Sequence, residues 1–191
     1  MCKILAASAV LVFSTSLFAH VTPNVQLVKR GEFIQSNLPG AVKFSEKTLM
    51  IGGPDMAVIK AATGWTPSEE DSKIYIGRDA TGRLVGSVAF IWMPSEHGPV
   101  GVGVAFDTNG TILRAEVTDV GTEPLAWVRP LIESNGVAGF DGLRLQERPK
   151  GSALARAAHG SMTRYYAEVI AEGIARAQAL ERVSLGTDSS R

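Results

Sequence analysis

Apolar and polar residues alternate in four segments between residues 73 and 120. The segments "KIYIGR" and "RLVGSVAFIW" flank "DATG", while "PVGVGVAF" and "TILRAEVTDV" flank "DTNG", and both arrangements are typical of β-hairpins. In the last segment Leu113, Ala115 and Val117 share one face and polar residues share the other, which indicates one buried and one solvated side. The pattern predicts an antiparallel sheet of about four strands.

Helical spacing of apolar residues flanks this sheet on both sides. Between about Met162 and Val183 one apolar stripe predicts a long amphipathic helix, formed by Tyr166, Val169, Ile170, Ile174, Ala177 and Leu180. Residues 24–38 and 52–65 predict two shorter helices. Residues 122–133 contain two prolines and predict a loop with a helical turn. The expected fold class is α+β, an antiparallel sheet with N-terminal helices and a long C-terminal helix packed on it.

Composition and charge narrow the function classes. The chain has 191 residues, of which 45% are hydrophobic, and its 19 Lys and Arg residues balance its 19 Asp and Glu residues. This length fits one domain with its own core. Because no basic field would attract polyanions, we expect no nucleic-acid partner.

The first twenty residues, "MCKILAASAVLVFSTSLFAH", have one lysine, then an apolar run, then small residues, which is the pattern of a secretory signal peptide. We expect residues 1–19 to be removed after Ala19, leaving residues 20–191 as a single domain in the periplasm or otherwise exported. An uncleaved membrane anchor is the alternative. Cys2 is the single cysteine of the chain, so the mature domain would have no thiol, and redox chemistry would require a bound cofactor.

Few side chains form a pattern typical of catalysis. The histidines His20, His97 and His159 are scattered, and none has a partner at metal-binding spacing, so we expect no metal site. No serine lies in a G-x-S-x-G motif. His159 precedes the predicted C-terminal helix, where it could contact a phosphate or simply be an exposed loop residue.

The segment "HGSMT" at the start of that helix has two interpretations. Ser161 or Thr163 can cap the helix, which requires no ligand and is the simpler explanation from the residues alone. The same free N–H groups and the helix dipole also suit a phosphate group. In that case the Thr163 hydroxyl could form a phosphoester with a cofactor.

The segment "VGVGVAF" has one nearly bare strand face, formed by Gly101, Gly103 and Ala105. Such a face allows the close approach of a helix, which is the simpler expectation, or of an aromatic ring system.

Three segments together resemble the FMN-binding domain family of exported flavoproteins, which includes the flavin subunits of the Rnf and Na⁺-pumping NADH:quinone oxidoreductase complexes. The segment "HGPVGVGVAFDTNGTILRAEVTDV" is similar to the family's strand, D-x-x-G turn and second strand. The segment "TEPLAW" lies where the family has an E-T-P-G-L loop, and "GSMTRYYAEVIAEGI" lies where it has S-G-A-T followed by a helix. The resemblance spans roughly residues 73–182.

The resemblance implies an electron-transfer flavoprotein or subunit rather than an independent enzyme. In the family, the threonine of S-G-A-T carries FMN through its phosphate, and Thr163 has the corresponding position. The residues implied at the phosphate are Gly160, Ser161 and Met162, and those implied along the ring or ribityl chain are Thr122, Glu123, Pro124 and Leu125. Trp127 or Tyr165 could stack on the ring.

Implied partners are a redox protein such as a cytochrome or a membrane oxidoreductase, and a flavin transferase if FMN is attached covalently. Covalent and reversible binding both stay open. Two other functions also stay open, a non-redox periplasmic binding module that keeps the fold without covalent flavin, and a structural or interaction protein.

Overall fold

A computed structural model describes residues 23–49, 54–68, 70–157 and 160–188. The predicted signal peptide lies outside the described residues. In chain order the elements are β1 (Asn24–Gln26), α1 (Arg30–Asn37), β2 (Lys43–Thr48), α2 (Pro54–Thr63), β3 (Lys73–Arg78), β4 (Leu84–Met93), β5 (Val100–Phe106), β6 (Ile112–Gly121), α3 (Leu125–Glu133), α4 (Gly151–Leu154) and α5 (Ser161–Asp188). Short 3-10 helices lie at Glu70–Ser72, Gly136–Phe140 and Ala155–Ala157.

The strands form one antiparallel sheet in the order β1-β6-β5-β4-β3-β2. The predicted α+β fold with a long C-terminal helix is confirmed, but the described sheet has six strands and the prediction of about four was wrong. The four predicted strands are β3 to β6. β2 was missed because it is a largely exposed strand at the sheet edge, "KFSEKT", without a buried apolar face. β1 was missed because it has only three residues.

The single helix predicted over residues 24–38 is β1 followed by α1. The backbone N–H groups of Leu27 and Val28 both donate to the carbonyl oxygen of Thr118, at 2.8 and 3.1 Å. These bonds hold the segment against β6, so the helix begins only at Arg30. Phe33 is buried on its inner side.

The long helix α5 covers one face of the sheet. Its predicted apolar stripe is buried from Tyr166 to Leu180, apart from the half-buried Val169. α5 packs on β4 and β5, where Gly173 brings the helix close to Met93 and Val102. The valine face of β5 and the stripe of α5 therefore form the main hydrophobic core.

The opposite face of the sheet receives α1. A smaller cluster there contains Phe33, Leu38, Val88, Phe90 and Ala105. The rings of Phe33 and Phe90 lie over Gly103 and contact each other edge to face, with centroids 5.7 Å apart. The expectation that a helix packs on the bare face of β5 is thus confirmed, and that helix is α1 rather than α5.

Residues 125–133, predicted as a loop with a helical turn, form the helix α3 instead. Pro124 is the N-cap residue, and its carbonyl oxygen accepts hydrogen bonds from the N–H groups of Trp127 and Val128, at 2.9 and 3.0 Å. Pro130 lies on the exposed side, so its missing N–H removes one helical hydrogen bond without disturbing the core. Val128 and Leu131 anchor α3 on the main core.

The antiparallel topology brings distant segments to one end of the sheet. The turn between β4 and β5 lies at the same end as the last residues of β6, where the Gly121 N–H donates to the Pro99 carbonyl oxygen at 2.9 Å. α3 begins immediately after this point and packs against α5. Three segments that are far apart in sequence therefore meet there.

Candidate functional site

The start of α5 supplies the first part of the site. Gly160 has a φ of +105°, which L side chains rarely adopt, so helical geometry begins at the next residue. Ser161 is exposed, Met162 is half-buried, and Thr163 is only 5% exposed. The first-turn N–H groups have no carbonyl acceptor within the helix and carry a partial positive charge.

The turn from β6 into α3 supplies the second part. Thr122 and Glu123 are exposed, Pro124 is buried, and Leu125 is half-buried at the first turn of α3. Gly121 lies close to the Pro124 ring, which fixes the direction in which the chain leaves the sheet.

An aromatic cluster of His97, Trp127, Tyr165 and Tyr166 joins the two parts. The Trp127 and Tyr166 rings are stacked, with centroids 5.9 Å apart and planes inclined by 11°. His97 contacts Trp127 at 5.0 Å, and Tyr165 contacts Tyr166 at 5.1 Å, both edge to face. Through this cluster the turn before α3 and the start of α5 belong to one surface region.

Polar contacts fix the cluster in place. His97 Nδ1 lies 2.8 Å from Glu123 Oε1, which ties the β4–β5 turn to the turn before α3. The Ser95 hydroxyl donates to the Gly98 carbonyl oxygen at 2.6 Å and lies 2.9 Å from the Tyr166 hydroxyl. Because the Ser95 proton is already committed, Tyr166 is the donor in the second bond. Burial raises the pKa of Tyr166 above that of an ordinary tyrosine, which favours the protonated phenol.

The structure brings together some of the residues predicted from sequence. Trp127 and Tyr165, predicted as stacking residues, both belong to the aromatic cluster, and Glu123 touches it through His97. Leu125 instead lines a separate cleft on the other side of α3. His159 and His20 lie outside the described residues.

Sequence reasoning missed Ser95 and His97. His97 was considered only as a metal ligand next to Glu96. The hairpin pattern could have pointed to both residues. In an antiparallel sheet, the end of the fourth predicted strand lies beside the start of the third, and therefore beside the β4–β5 turn that contains Ser95 and His97. Tyr166 was assigned only to the core stripe, although it also forms the inner side of the cluster.

A cleft of about 470 Å³ lies between α3, the 3-10 helix Gly136–Phe140, β1 and β6. Its apolar lining includes Val25, Val117 and Ile132, and its polar lining includes Arg129 and Glu133. We call it the α3 cleft. The members of the aromatic cluster and Thr163 are not among its lining residues.

Two further properties concern the described residues alone. Within residues 23–49, 54–68, 70–157 and 160–188, no group of three or more His, Cys, Asp or Glu side chains is placed to hold a metal ion. In the same part of the chain, no helix has the length and apolar character needed to cross a bilayer.

Comparison with known proteins gives no relative for this chain. No family model matches it, and searches of curated proteins and of solved structures give no match.

Proposed function

We propose that this protein is an exported FMN-binding electron-transfer protein that carries its flavin at the start of α5. The observation that supports this most is the aromatic cluster, which joins two of the segments that resemble the FMN-binding family, "TEPLAW" and "GSMTRYYAEVIAEGI". These segments are far apart in sequence and share one surface region.

The residues at the start of α5 fit a phosphate group. The exposed Ser161 and the first-turn N–H groups offer hydrogen-bond donors, and the helix dipole favours an anion there. Arg156 and Arg164 lie on either side of this point in sequence, and both are exposed. Neither forms an ion pair with another described residue, so their charges are available to an anionic ligand.

The aromatic cluster and its surroundings suit a flat ring system. Tyr165 is 42% exposed and presents an aromatic surface next to the helix start. Thr122, Glu123 and Pro124 form the turn that borders the cluster, whereas Leu125 lies on the side of the α3 cleft. Gly160, Ser161, Met162 and Thr163 form the phosphate end. FMN, when bound there, would supply the electron transfer, and these residues would hold and orient it. The partners of such a protein are a cytochrome or a membrane oxidoreductase.

The burial of Thr163 bears on how the flavin is held. A phosphoester on a side chain that is 5% exposed requires local opening of the first turn of α5. Reversible binding requires no such opening. Covalent attachment would also need a flavin transferase that reaches this hydroxyl.

The test of this function is an intact mass and a visible absorption spectrum of the exported protein, made in cells that express a flavin transferase. The proposal predicts flavin absorbance in the purified protein. A mass increase equal to FMN less water would identify covalent attachment, and an unmodified mass with flavin absorbance would identify reversible binding. A colourless protein of unmodified mass would overturn the proposal.

Two variants locate the attachment if it is covalent. Thr163→Ala should abolish the mass increase, at a cost of about 1 kcal/mol of stability from the lost buried methyl group. Ser161→Ala is the matched control, because it removes a hydroxyl two residues away on the exposed side of the same turn. A mass increase that persists in Thr163→Ala would show that the flavin is attached elsewhere.

A second candidate function is a non-redox periplasmic binding module. The observation that favours it is the α3 cleft, which lies on the opposite side of α3 from Trp127 and α5 and has a volume typical of small-molecule sites. A colourless protein that binds a small molecule in this cleft would favour this candidate.

A further inference from the structure

The α3 cleft combines an apolar lining with solvent access. Leu27 and Ile132 both line it and are 39% and 37% exposed, so two of the large exposed apolar side chains of the described chain lie at this one place. Val117, from β6, is a buried part of the lining. Exposed apolar surface gathered in a concave site is typical of a ligand site.

The charged side chains of the cleft fall into two groups. On the β6 wall, Arg114 Nε donates to Glu116 Oε1 at 2.8 Å, and Arg114 Nη1 lies 3.5 Å from Asp141 Oδ2. These groups satisfy one another. On the α3 wall, Arg129 and Glu133 are exposed and form no ion pair or side-chain hydrogen bond with another described residue.

The α3 wall therefore presents one available cation and one available anion. Residues four apart on a helix lie on the same face, with Cβ atoms about 5–6 Å apart. The side-chain amide of Asn135, which also lines the cleft, adds a further donor and acceptor at the end of α3. With two cations and two anions in the lining, the cleft has no net charge to favour a simple anion or a simple cation.

We propose that the α3 cleft binds a small zwitterion with an apolar body, of the chemical class of a free amino acid with a large apolar side chain. Arg129 receives the ligand's carboxylate, Glu133 receives its ammonium group, and the apolar body lies against Ile132 and Val117. This site is independent of the flavin region, because it lies on the other side of α3 from the aromatic cluster.

Calorimetric titration with L-phenylalanine tests the site directly. We expect saturable binding, and at least tenfold weaker binding of each of three probes that lack one element of the ligand. The probes are N-acetyl-L-phenylalanine, which lacks the ammonium group, phenylethylamine, which lacks the carboxylate, and L-alanine, which lacks the apolar body. Charge-assisted hydrogen bonds are strong enough to give differences of this size.

Two variants assign the charges to their residues. Arg129→Gln should weaken phenylalanine binding at least tenfold and leave phenylethylamine binding unchanged. Glu133→Gln should also weaken phenylalanine binding at least tenfold, but it should leave the binding of N-acetyl-L-phenylalanine unchanged. Both side chains are exposed, so the variants should fold normally. Lys60→Gln, at an exposed position on α2, is the matched control and should bind phenylalanine as the wild type does.

Three results would overturn the assignment. One is the absence of phenylalanine binding at millimolar concentration, and another is equal affinity for phenylalanine and phenylethylamine. The third is displacement of phenylalanine by FMN, which would place the flavin in the cleft. The first two results leave the flavin proposal untouched, since that proposal is tested by the mass and the absorption spectrum.

Discussion

At the scale of single residues, Tyr166 connects the core of the protein to the candidate site. Its ring, on the inner side of α5, is fully buried and stacks on Trp127, while its hydroxyl donates to Ser95. The sequence marks Tyr166 only as one position of an apolar stripe. Its polar role depends on a turn 71 residues earlier, which spacing along the chain does not reveal.

Replacing Tyr166 by Phe should cost about 1 kcal/mol of stability at neutral pH, the typical worth of one hydrogen bond. The ring and its packing are kept, so the loss is that of the bond to Ser95 alone. Urea unfolding at pH 7 measures it. A loss of more than about 3 kcal/mol would mean that the hydroxyl has a larger structural role.

The same residue predicts a pH dependence. Burial raises the pKa of Tyr166 in the folded state, so the unfolded chain releases this proton at a lower pH than the folded protein does. Its contribution to stability is therefore fully present below the ordinary tyrosine pKa of about 10 and is lost as the pH rises through the folded-state pKa. In urea unfolding, the free energy of unfolding of the wild type should fall between pH 8 and pH 10.5. The fall should be smaller in Tyr166→Phe than in the wild type.

Tyr165→Phe is the control for this prediction, because the Tyr165 ring is 42% exposed and has no bond to Ser95. It should keep the alkaline loss of stability seen in the wild type. An equal alkaline loss in Tyr166→Phe and Tyr165→Phe would contradict the assignment.

At the scale of elements, the two faces of β5 determine which helix packs where. The valine face accepts α5, and the face with Gly101, Gly103 and Ala105 accepts α1. A Cβ atom at Gly103 would lie 2.9 Å from Thr118 Cγ2 and 3.0 Å from Phe90 Cε1. It would also lie 3.3 Å from Phe33 Cε1 of α1, so the absence of a side chain at Gly103 allows both neighbouring strand residues and α1 to pack closely here.

Gly103→Ala should destabilise the protein by about 1–3 kcal/mol, the usual cost of overpacking a core. Gly31→Ala is the matched control, since Gly31 lies within α1 and a methyl group added there would meet no other atom within 4 Å. This second variant should be neutral or stabilising by up to about 1 kcal/mol. Thermal unfolding of the two variants checks both signs. Equal stability of Gly103→Ala and the wild type would contradict close packing around Gly103.

The elements that could be predicted from sequence are those with strong periodicity or turn chemistry. The stripe of α5 and the two hairpins provide such signals, and the Asp107 carboxylate accepts N–H bonds from Asn109 and Thr111 in the second turn, at 2.8 and 2.9 Å. The missed strands lack such signals, because β2 has no alternation of apolar residues and β1 is too short to show any. The helix α3 was missed because its two prolines are typical of loops, although Val128 and Leu131 form a buried inner side.

The candidate site was only partly predictable for a related reason. Trp127 and Tyr165 lie in the segments that carry the resemblance, and their aromatic character alone suggested stacking. The contact of His97 with Glu123 depends on sheet topology, and the cleft beside Arg129 depends on the direction in which α3 leaves the sheet.

At the scale of the whole molecule, the sheet lies between the small hydrophobic cluster under α1 and the candidate site. α1 and its small cluster occupy one face, and α5 and the main core occupy the other. The aromatic cluster lies where α3 packs against α5, and none of its members belongs to the small cluster around Phe33. Damage to the α1 side should therefore weaken the fold without changing the candidate site.

Phe33→Ala should lower stability by about 3–5 kcal/mol, the usual cost of removing a buried phenylalanine ring. Provided that the variant is studied below its unfolding temperature, its FMN affinity should match that of the wild type. Denaturant unfolding and flavin titration of the same sample measure both quantities. A loss of FMN binding in the folded variant would show that the two sides of the sheet are coupled.

The measurement that tests the central claim most directly is a titration of flavin fluorescence with the exported protein, made without a flavin transferase and freed of bound flavin. If FMN binds beside the aromatic cluster, wild-type protein should quench the flavin emission in a saturable manner, because stacked aromatic rings lie next to it. Trp127→Leu should lose most of this quenching while Phe33→Ala keeps it. No saturable quenching by the wild type, or equal quenching by Trp127→Leu, would contradict the proposed flavin site.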